Sequence, residues 1–174
     1  DGKPYGAVYG AQGYHTVMCP GSPVWQEHLL KNMEMFAAAK MAGVYHDQLP
    51  CSTAYSCFDE NHGHPVNDPQ SWVTKGHWKT YGKIMGEFRK RHPELAHTGE
   101  DASDAFLSCL DGFMVWRFGR AGHVPLFQSI YAPRIQFVGR GGDVHALQGT
   151  YEAFFPKYGE QLIFGEQIGW NGLE

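Results

Sequence analysis

Two stretches of sequence decide the fold: Ala42-Gly43-Val44-Tyr45-His46-Asp47 and Glu94-Leu95-Ala96-His97-Thr98-Gly99-Glu100. Each is predicted to form a short strand with a carboxylate at its C-terminal end. Between them, apolar residues recur at spacings of three and four, which is the period of an amphipathic helix: Trp78, Tyr81, Met85 and Phe88. Strand, helix and strand in this order predict two parallel strands joined by a crossover helix.

The same alternation continues along the chain in both directions. Ser22 and Pro23 form an N-cap and first-turn pair that begins a helix over 23–41, and Asp68-Pro69 begins the next one, which ends near His92. The remaining predicted strands lie at 14–19, 112–116, 134–138 and 162–166, and the remaining helices at 101–109, 125–131 and 144–156. About six parallel strands with outer helices predict an α/β fold.

The length limits which α/β fold this is. A closed (β/α)8 barrel normally takes about 250 residues, and the chain has 174. We therefore expect the C-terminal part of a (β/α)8 (TIM) barrel, with a smaller open sheet as the alternative. On this interpretation residues 1–174 are a single domain and a fragment of a larger catalytic barrel.

Composition excludes several classes of function. Lys and Arg number 14 against 18 Asp and Glu, a net charge of -4, whereas nucleic-acid binders usually carry a basic excess. No apolar run approaches the roughly 18 residues of a membrane span. Four cysteines, at positions 19, 51, 57 and 109, do not make a disulfide scaffold in a chain of this length. A Cys51–Cys57 bridge and free thiols both stay open.

Three carboxylates follow predicted strands: Asp47, Glu100 and Glu166. Catalytic side chains of barrel enzymes project from the carboxyl ends of the strands, and two facing carboxylates are the machinery of glycoside hydrolysis. For any one of the three alone we favour a structural role, as a cap of the following helix or as a ligand of backbone amides in the loop. Asp47 and Glu100 together, on consecutive units, favour catalysis, and Glu166 either binds substrate hydroxyls or braces the rim. Asp111 precedes its strand and is interpreted as structural.

Aromatic side chains near strand ends suit a sugar-binding cleft. Tyr45, Trp116 and Trp170 offer flat apolar faces that stack on sugar rings, although core packing is the favoured explanation for any one of them alone.

The densest polar cluster is the loop Asp59-Glu60-Asn61-His62-Gly63-His64-Pro65. We rank substrate binding by His62 and His64 first, a structural role second and metal ligation third, because no third ligand is fixed by the spacing. His46 alternates with Asp47 along its strand and is expected to point into packing.

Several motifs resemble a known family. Met18-Cys19-Pro20, Trp25 and Gly43-Val44-Tyr45-His46-Asp47-Gln48 resemble glycosidase-like barrels in which a GVYxDQ strand carries the reactive aspartate. Cys57-Phe58-Asp59, His62 to Pro65, Thr98-Gly99-Glu100 and the closing Phe164-Gly165-Glu166-Gln167-Ile168-Gly169-Trp170 resemble a bacterial domain family of unknown function grouped with carbohydrate-active (β/α)8 proteins.

The order of the strands adds to this resemblance. If the strand that ends at Cys19 is the third of the barrel, Asp47 ends the fourth and Glu100 the fifth. This order is similar to the alpha-amylase clan and the endo-alpha-N-acetylgalactosaminidases, where the fourth strand carries the nucleophile and the fifth the acid/base. The resemblance implies a retaining glycosidase with Asp47 as nucleophile and Glu100 as acid/base, and with no cofactor. The expected partner is a carbohydrate, with a missing barrel segment or a second copy completing the fold.

Two other functions stay open. One is a metal-dependent barrel hydrolase that uses His62 and His64, and the other is a carbohydrate-binding fragment without catalysis.

Overall fold

A parallel β-sheet whose strands follow one another in space as they do in sequence is the central feature of the fold. The computed structural model describes residues 4–8, 13–51, 55–68, 78–115, 124–140 and 151–169. The strands are β1 (Gly6–Val8), β2 (Tyr14–Thr16), β3 (Gly43–His46), β4 (Ala96–Glu100), β5 (Gly112–Val115), β6 (Gln136–Arg140) and β7 (Gln167–Gly169). The helices are α1 (Pro23–Ala38), α2 (Trp78–Arg91), α3 (Leu126–Tyr131) and α4 (Tyr151–Ile163), with short 3-10 turns at Glu60–His62 and Asp104–Phe106.

The sheet has the order β3-β4-β5-β6-β7, and every neighbouring pair is parallel. Each strand pairs with the next one along the chain, without the reversal of order that marks a doubly wound open sheet. Sequential parallel pairing is how the wall of a (β/α)8 barrel is built. The predicted α/β class is confirmed, and the described part of the chain contributes five parallel strands where about six were expected.

The centre of the sheet is closed to water on both faces. All four residues of β5 are buried, as is typical of a parallel strand covered on both sides. Phe113 and Phe137 are almost fully inaccessible, and Phe127 of α3 packs edge-on against Phe137 at a centroid distance of 5.9 Å and an angle of 90°. These three rings form a continuous apolar core between α3 and the sheet.

By its contacts the chain divides into two compact units, Asp1–Met41 with Thr53–Glu94, and Ala42–Ser52 with Leu95–Glu174. The second unit holds the parallel sheet. The first holds the β1–β2 pair and helices α1 and α2, whose shared core includes Met33, Met85 and Phe88. Single-domain organisation of residues 1–174 stays a prediction.

Ion pairs join the helices of the first unit at one end. Glu34 of α1 pairs with Arg91, and its second oxygen lies 2.9 Å from Nε2 of His92.

No helix within the described part of the chain combines the length and the apolar character needed to cross a membrane.

The strand predicted at 14–19 forms, but not in the parallel sheet. Tyr14–Thr16 pairs antiparallel with Gly6–Val8. The pattern of a short strand does not say which partner it will find, and a neighbouring segment of the chain is reached at little loss of chain entropy.

The end of the chain also differs from the prediction. We expected a helix at 144–156 and a strand at 162–166. Residues 144–150 lie outside the described part of the chain, and α4 (Tyr151–Ile163) continues through Pro156 beyond the predicted end. Gly165, with φ of 72°, ends this helix: its N–H donates to Leu162 O (3.1 Å), and Glu166 N–H donates to Gln161 O (2.9 Å). This is a Schellman motif, so the apolar run 162–164 belongs to the last helical turn and the strand begins at Gln167.

Gly99, the residue before Glu100, generates a stability prediction. A Cβ at this position would lie 2.7 Å from both Leu110 Cδ1 and Pro50 Cγ, which is closer than packed atoms tolerate. We expect Gly99→Ala to lower the free energy of unfolding by about 1–3 kcal/mol, the usual cost of overpacking, as measured by urea denaturation.

The matched control is Gly86→Ala in α2, where an added Cβ meets nothing within 4 Å. This variant should gain about 0.5–1 kcal/mol from helix propensity. Equal stability of the two variants would contradict the tight packing of Gly99.

Candidate functional site

The two carboxylates singled out from the sequence lie at one edge of the sheet. The register pairs His46 with Gly99, so that Asp47 and Glu100 follow directly on two adjacent parallel strands. Asp47 is exposed in the turn after β3, whereas Glu100 is only 6% exposed. The backbone N–H of Gln48 donates to Glu100 Oε2 at 2.8 Å, which holds that carboxylate beside the turn that carries Asp47.

The residue after each carboxylate has a left-handed backbone. Gln48 has φ of 57° and Asp101 has φ of 60°, a conformation that costs a residue other than glycine about 1–3 kcal/mol. Asp101 N–H donates to Met114 O at 2.7 Å, so its conformation is fixed by the neighbouring strand. Strain of this kind clusters at functional sites, and sequence reasoning did not find these two positions because neither is Gly or Asn.

A histidine pair lies under this edge. His46 Nε2 and His97 Nδ1 are 3.0 Å apart, and their rings stack at 5.3 Å between centroids. His97 is fully buried, and its backbone N–H donates to Asp111 Oδ2 at 2.8 Å. Asp111 N–H donates in return to His97 O at 2.7 Å. His46 packs against His97 as the strand alternation predicts, and Asp111 ties the start of β5 to β4.

Glu166 was expected at the carboxyl end of a strand, and this placement is wrong. Because α4 extends to Ile163, Glu166 precedes β7 and lies at its amino end. The side chain is buried, and Oε1 accepts a hydrogen bond from Gln128 Nε2 at 2.8 Å. The positional argument for a contact with substrate therefore fails for this residue.

Of the three predicted stacking residues, only Tyr45 falls on the described part of the chain. It lies in β3, half-buried, two residues before Asp47. Trp116 and Trp170 lie outside the described residues.

The histidine loop meets two cysteines. Cys19, Cys57, His62 and His64 each offer one ligand atom, and these four atoms all lie within 4.8 Å of one another. Cys19 Sγ is 3.1 Å from His64 Nε2, and Cys57 Sγ is 3.2 Å from His62 Nδ1. Sequence reasoning found the histidines but not the thiols, because Cys19 is more than forty residues away and no CxxC marks it.

Local hydrogen bonds shape the loop so that the four side chains converge. Asp59 Oδ1 accepts from Asn61 N–H at 2.9 Å and caps the 3-10 turn, which also lowers the pKa of Asp59. Gly63, with φ of 69°, reverses the chain between the two histidines. Asn67 N–H donates to Cys57 O at 2.7 Å and closes the loop.

The cluster borders an open cleft in the first unit. The cleft has a volume of about 970 Å³, and Cys19, Cys57 and His62 contribute to its wall together with Tyr5 and Tyr55. The rings of these two tyrosines lie 5.0 Å apart between centroids. Burial raises the pKa of the Cys19 thiol to about 11, and the neighbouring Cys57 sulfur acts in the same direction.

Asp111 generates the prediction for this region. Replacing it with alanine leaves the buried N–H of His97 without its carboxylate acceptor, so we expect Asp111→Ala to cost about 1–3 kcal/mol of unfolding free energy, as measured by urea denaturation. Asp104→Ala, which removes an exposed carboxylate of the same unit, should change stability by less than about 0.5 kcal/mol. A similar loss in both variants would show that the bond to His97 N–H is not what Asp111 contributes.

Comparison with known proteins places this geometry in context. The chain is 27% identical over 176 residues to a Bacteroides thetaiotaomicron protein described as a "Putative glycoside hydrolase"; the match covers 98% of this chain and 25% of that protein. Among solved structures, the alpha-N-acetylgalactosaminidase NagBb from Bifidobacterium bifidum is similar with a TM-score of 0.57 at 16% identity, over 78% of this chain and 22% of that one. The same enzyme in complex with GalNAc gives a TM-score of 0.55 at 17% identity, with the same coverage.

These likenesses establish the fold, namely a sheet that matches part of a glycoside hydrolase barrel. The chain spans only about a quarter of the length of the relatives it matches. A sequence profile matches residues 1–141, more than half of the chain. The chain therefore belongs to the family described as "Domain of unknown function (DUF6259)".

Proposed function

We propose that this domain forms the carboxylate pair of a retaining glycoside hydrolase, with Asp47 as nucleophile and Glu100 as acid/base. The observation that carries the proposal is the hydrogen bond from Gln48 N–H to Glu100 Oε2, since it joins the ends of two adjacent parallel strands at the position of the two carboxylates. The likeness to a glycoside hydrolase barrel and the distant hydrolase relative support it.

The two residues differ in a way that suits their roles. Asp47 is exposed, and its carboxylate oxygen attacks the anomeric carbon while the bond from that carbon to the leaving oxygen breaks. Glu100, buried beside it, gives its proton to that leaving oxygen. In the second step Glu100 takes a proton from water, the water oxygen attacks the same carbon, and the ester to Asp47 breaks. The anomeric configuration is retained after two inversions.

We place an α-linked N-acetylgalactosaminide first among substrates, because the solved neighbour is named as an alpha-N-acetylgalactosaminidase. Tyr45 is the described aromatic residue best placed to stack on the sugar at the −1 position, because it lies in β3 two residues before Asp47. Trp116 and Trp170 stay predicted as further stacking residues. The substrate-binding roles of His62 and His64 lose support, because their ring nitrogens face the Cys57 and Cys19 thiols.

The metal-dependent hydrolase is disfavoured by the composition of the cysteine–histidine cluster. Catalytic zinc sites keep one position for water or substrate beside three protein ligands, whereas this cluster offers four. Turnover assays distinguish the hydrolase from a carbohydrate-binding fragment without catalysis.

Glu100→Gln tests the acid/base role. With a leaving group that needs protonation, such as an unactivated alkyl glycoside, we expect kcat to fall by about 10²–10⁴-fold, the usual contribution of a general acid. With a dinitrophenyl glycoside, which leaves without a proton, formation of the glycosyl-enzyme should be nearly unaffected. The control is Glu60→Gln, an exposed carboxylate of the other unit. Equal losses with both leaving groups would exclude Glu100 as the acid.

Azide rescue assigns the nucleophile. In Asp47→Ala, azide takes the place of the missing carboxylate and should give a glycosyl azide of inverted configuration, whereas Glu100→Ala should give one of retained configuration. The products are identified by NMR. If Asp47→Ala gave the retained azide and Glu100→Ala the inverted one, Glu100 would be the nucleophile and Asp47 the acid/base. The wild-type protein is also assayed with a set of α- and β-glycosides. Sugar binding without turnover of any of them would contradict the hydrolase and favour a carbohydrate-binding function.

A further inference from the structure

We propose that Cys19, Cys57, His62 and His64 bind a structural zinc ion in the first unit. The donor set is two thiolates and two imidazoles, which is one of the common combinations for tetrahedral zinc. This site is separate in the chain from the Asp47–Glu100 pair, which belongs to the second unit, and does not depend on the proposed glycosidase activity.

The distances fit a tetrahedron of the right size. Zinc bonds of about 2.3 Å to sulfur and about 2.0–2.1 Å to nitrogen place ligand atoms roughly 3.3–3.8 Å from one another. The two measured sulfur–nitrogen separations are 3.1 and 3.2 Å, and all separations are within 4.8 Å. Movements of a few tenths of an ångström up to about 1 Å bring the set to the bonding distances.

Each histidine has a partner on the ring nitrogen that faces away from the cluster. His64 Nδ1 lies 2.9 Å from Pro65 O, so that nitrogen carries the proton and Nε2 keeps its lone pair toward Cys19. His62 Nε2 lies 3.4 Å from Asp59 Oδ2, which leaves Nδ1 free to ligate beside Cys57. A carbonyl or carboxylate on the second nitrogen is the usual outer shell of zinc-bound histidine.

The ion has a structural task in this unit. Cys19 lies in the turn that leads into α1, and the other three ligands lie in the loop closed by the Asn67–Cys57 hydrogen bond. The described 3-10 turn of this loop is a single turn, so few backbone hydrogen bonds hold it. Zinc bonded to all four side chains ties this loop to the start of α1, and the adjoining cleft offers a path for the ion to enter.

Gly21 lies close to both histidines of the cluster. A Cβ at this position would collide with His62 O and lie 2.8 Å from His64 Cδ2. A glycine here therefore lets the turn before α1 approach the two histidines closely enough for Cys19 to share their ion.

Metal analysis of the purified protein is the direct test. Elemental analysis after gel filtration without chelator should find about one zinc per chain, the stoichiometry of a single four-ligand site. Zinc X-ray absorption should show two sulfurs at about 2.3 Å and two nitrogens at about 2.0–2.1 Å. Cobalt(II) added to chelator-treated protein should give the intense visible absorption of a tetrahedral thiolate site. These readouts use the wild-type protein, so they do not depend on how variants fold.

Variants then assign the ligands. Cys57→Ser and His64→Ala should each retain less than a tenth of the wild-type zinc after dialysis against EDTA, while Cys51→Ser, a half-buried cysteine of the other unit, should retain all of it. Asp59→Asn should weaken zinc binding by about 10-fold through the outer shell. Gly21→Ala tests the geometry without removing a ligand and should also lose zinc.

Three results would overturn the proposal: no zinc or cobalt signal from the wild-type protein, zinc retention in Cys57→Ser equal to that of Cys51→Ser, or a Cys19–Cys57 disulfide found by mass spectrometry of the untreated protein. Loss of zinc in Cys57→Ser together with unchanged glycoside turnover would support the site and leave the proposed function untouched.

Discussion

The parallel pairing of β3 with β4 is the constraint on which the candidate catalytic site depends. Parallel register brings the carboxyl ends of the two strands to the same edge, and the pairing of His46 with Gly99 makes Asp47 and Glu100 the next residues on both. Gly99 permits the close approach of Leu110 and Pro50 that this register needs. The N–H of Gln48 then binds Glu100, so that the geometry of one carboxylate is set by the turn that carries the other.

Hydrogen bonds from neighbouring strands and turns fix the strained backbone at this edge of the sheet. Gln48 and Asp101 both adopt left-handed backbones, and such conformations persist only where surrounding contacts determine them. The contacts here are the hydrogen bonds to Glu100 and to Met114 O. Beneath them, His46, His97 and Asp111 form a hydrogen-bonded set that joins β3, β4 and the start of β5. A rigid support of this kind is what a pair of catalytic carboxylates requires, since small displacements are costly in rate.

The first unit contains a separate polar cluster, formed by Cys19, Cys57, His62 and His64. Its helices α1 and α2 share an apolar core around Met33, Met85 and Phe88, but the loop that follows Cys57 contributes mostly polar side chains. In our proposal zinc bonds to two thiolates and two imidazoles hold this loop, because metal bonds supply folding free energy. Under the zinc proposal the histidine loop has a structural role, whereas the sequence ranked sugar binding first.

The sequence by itself determined the α/β class, the start of α1 at Ser22-Pro23 and the positions of Asp47 and Glu100 at the carboxyl ends of their strands, because local periodicity, caps and strand polarity are properties of nearby residues. It did not determine that β2 pairs with β1, that Leu162 and Ile163 are helical, or that Glu166 precedes its strand. Pairing partners and the Schellman end at Gly165 depend on backbone contacts that a hydrophobic pattern does not encode. Tertiary structure alone brought Cys19 to His64 and Gln48 N–H to Glu100, since these contacts join residues that lie 45 and 52 positions apart.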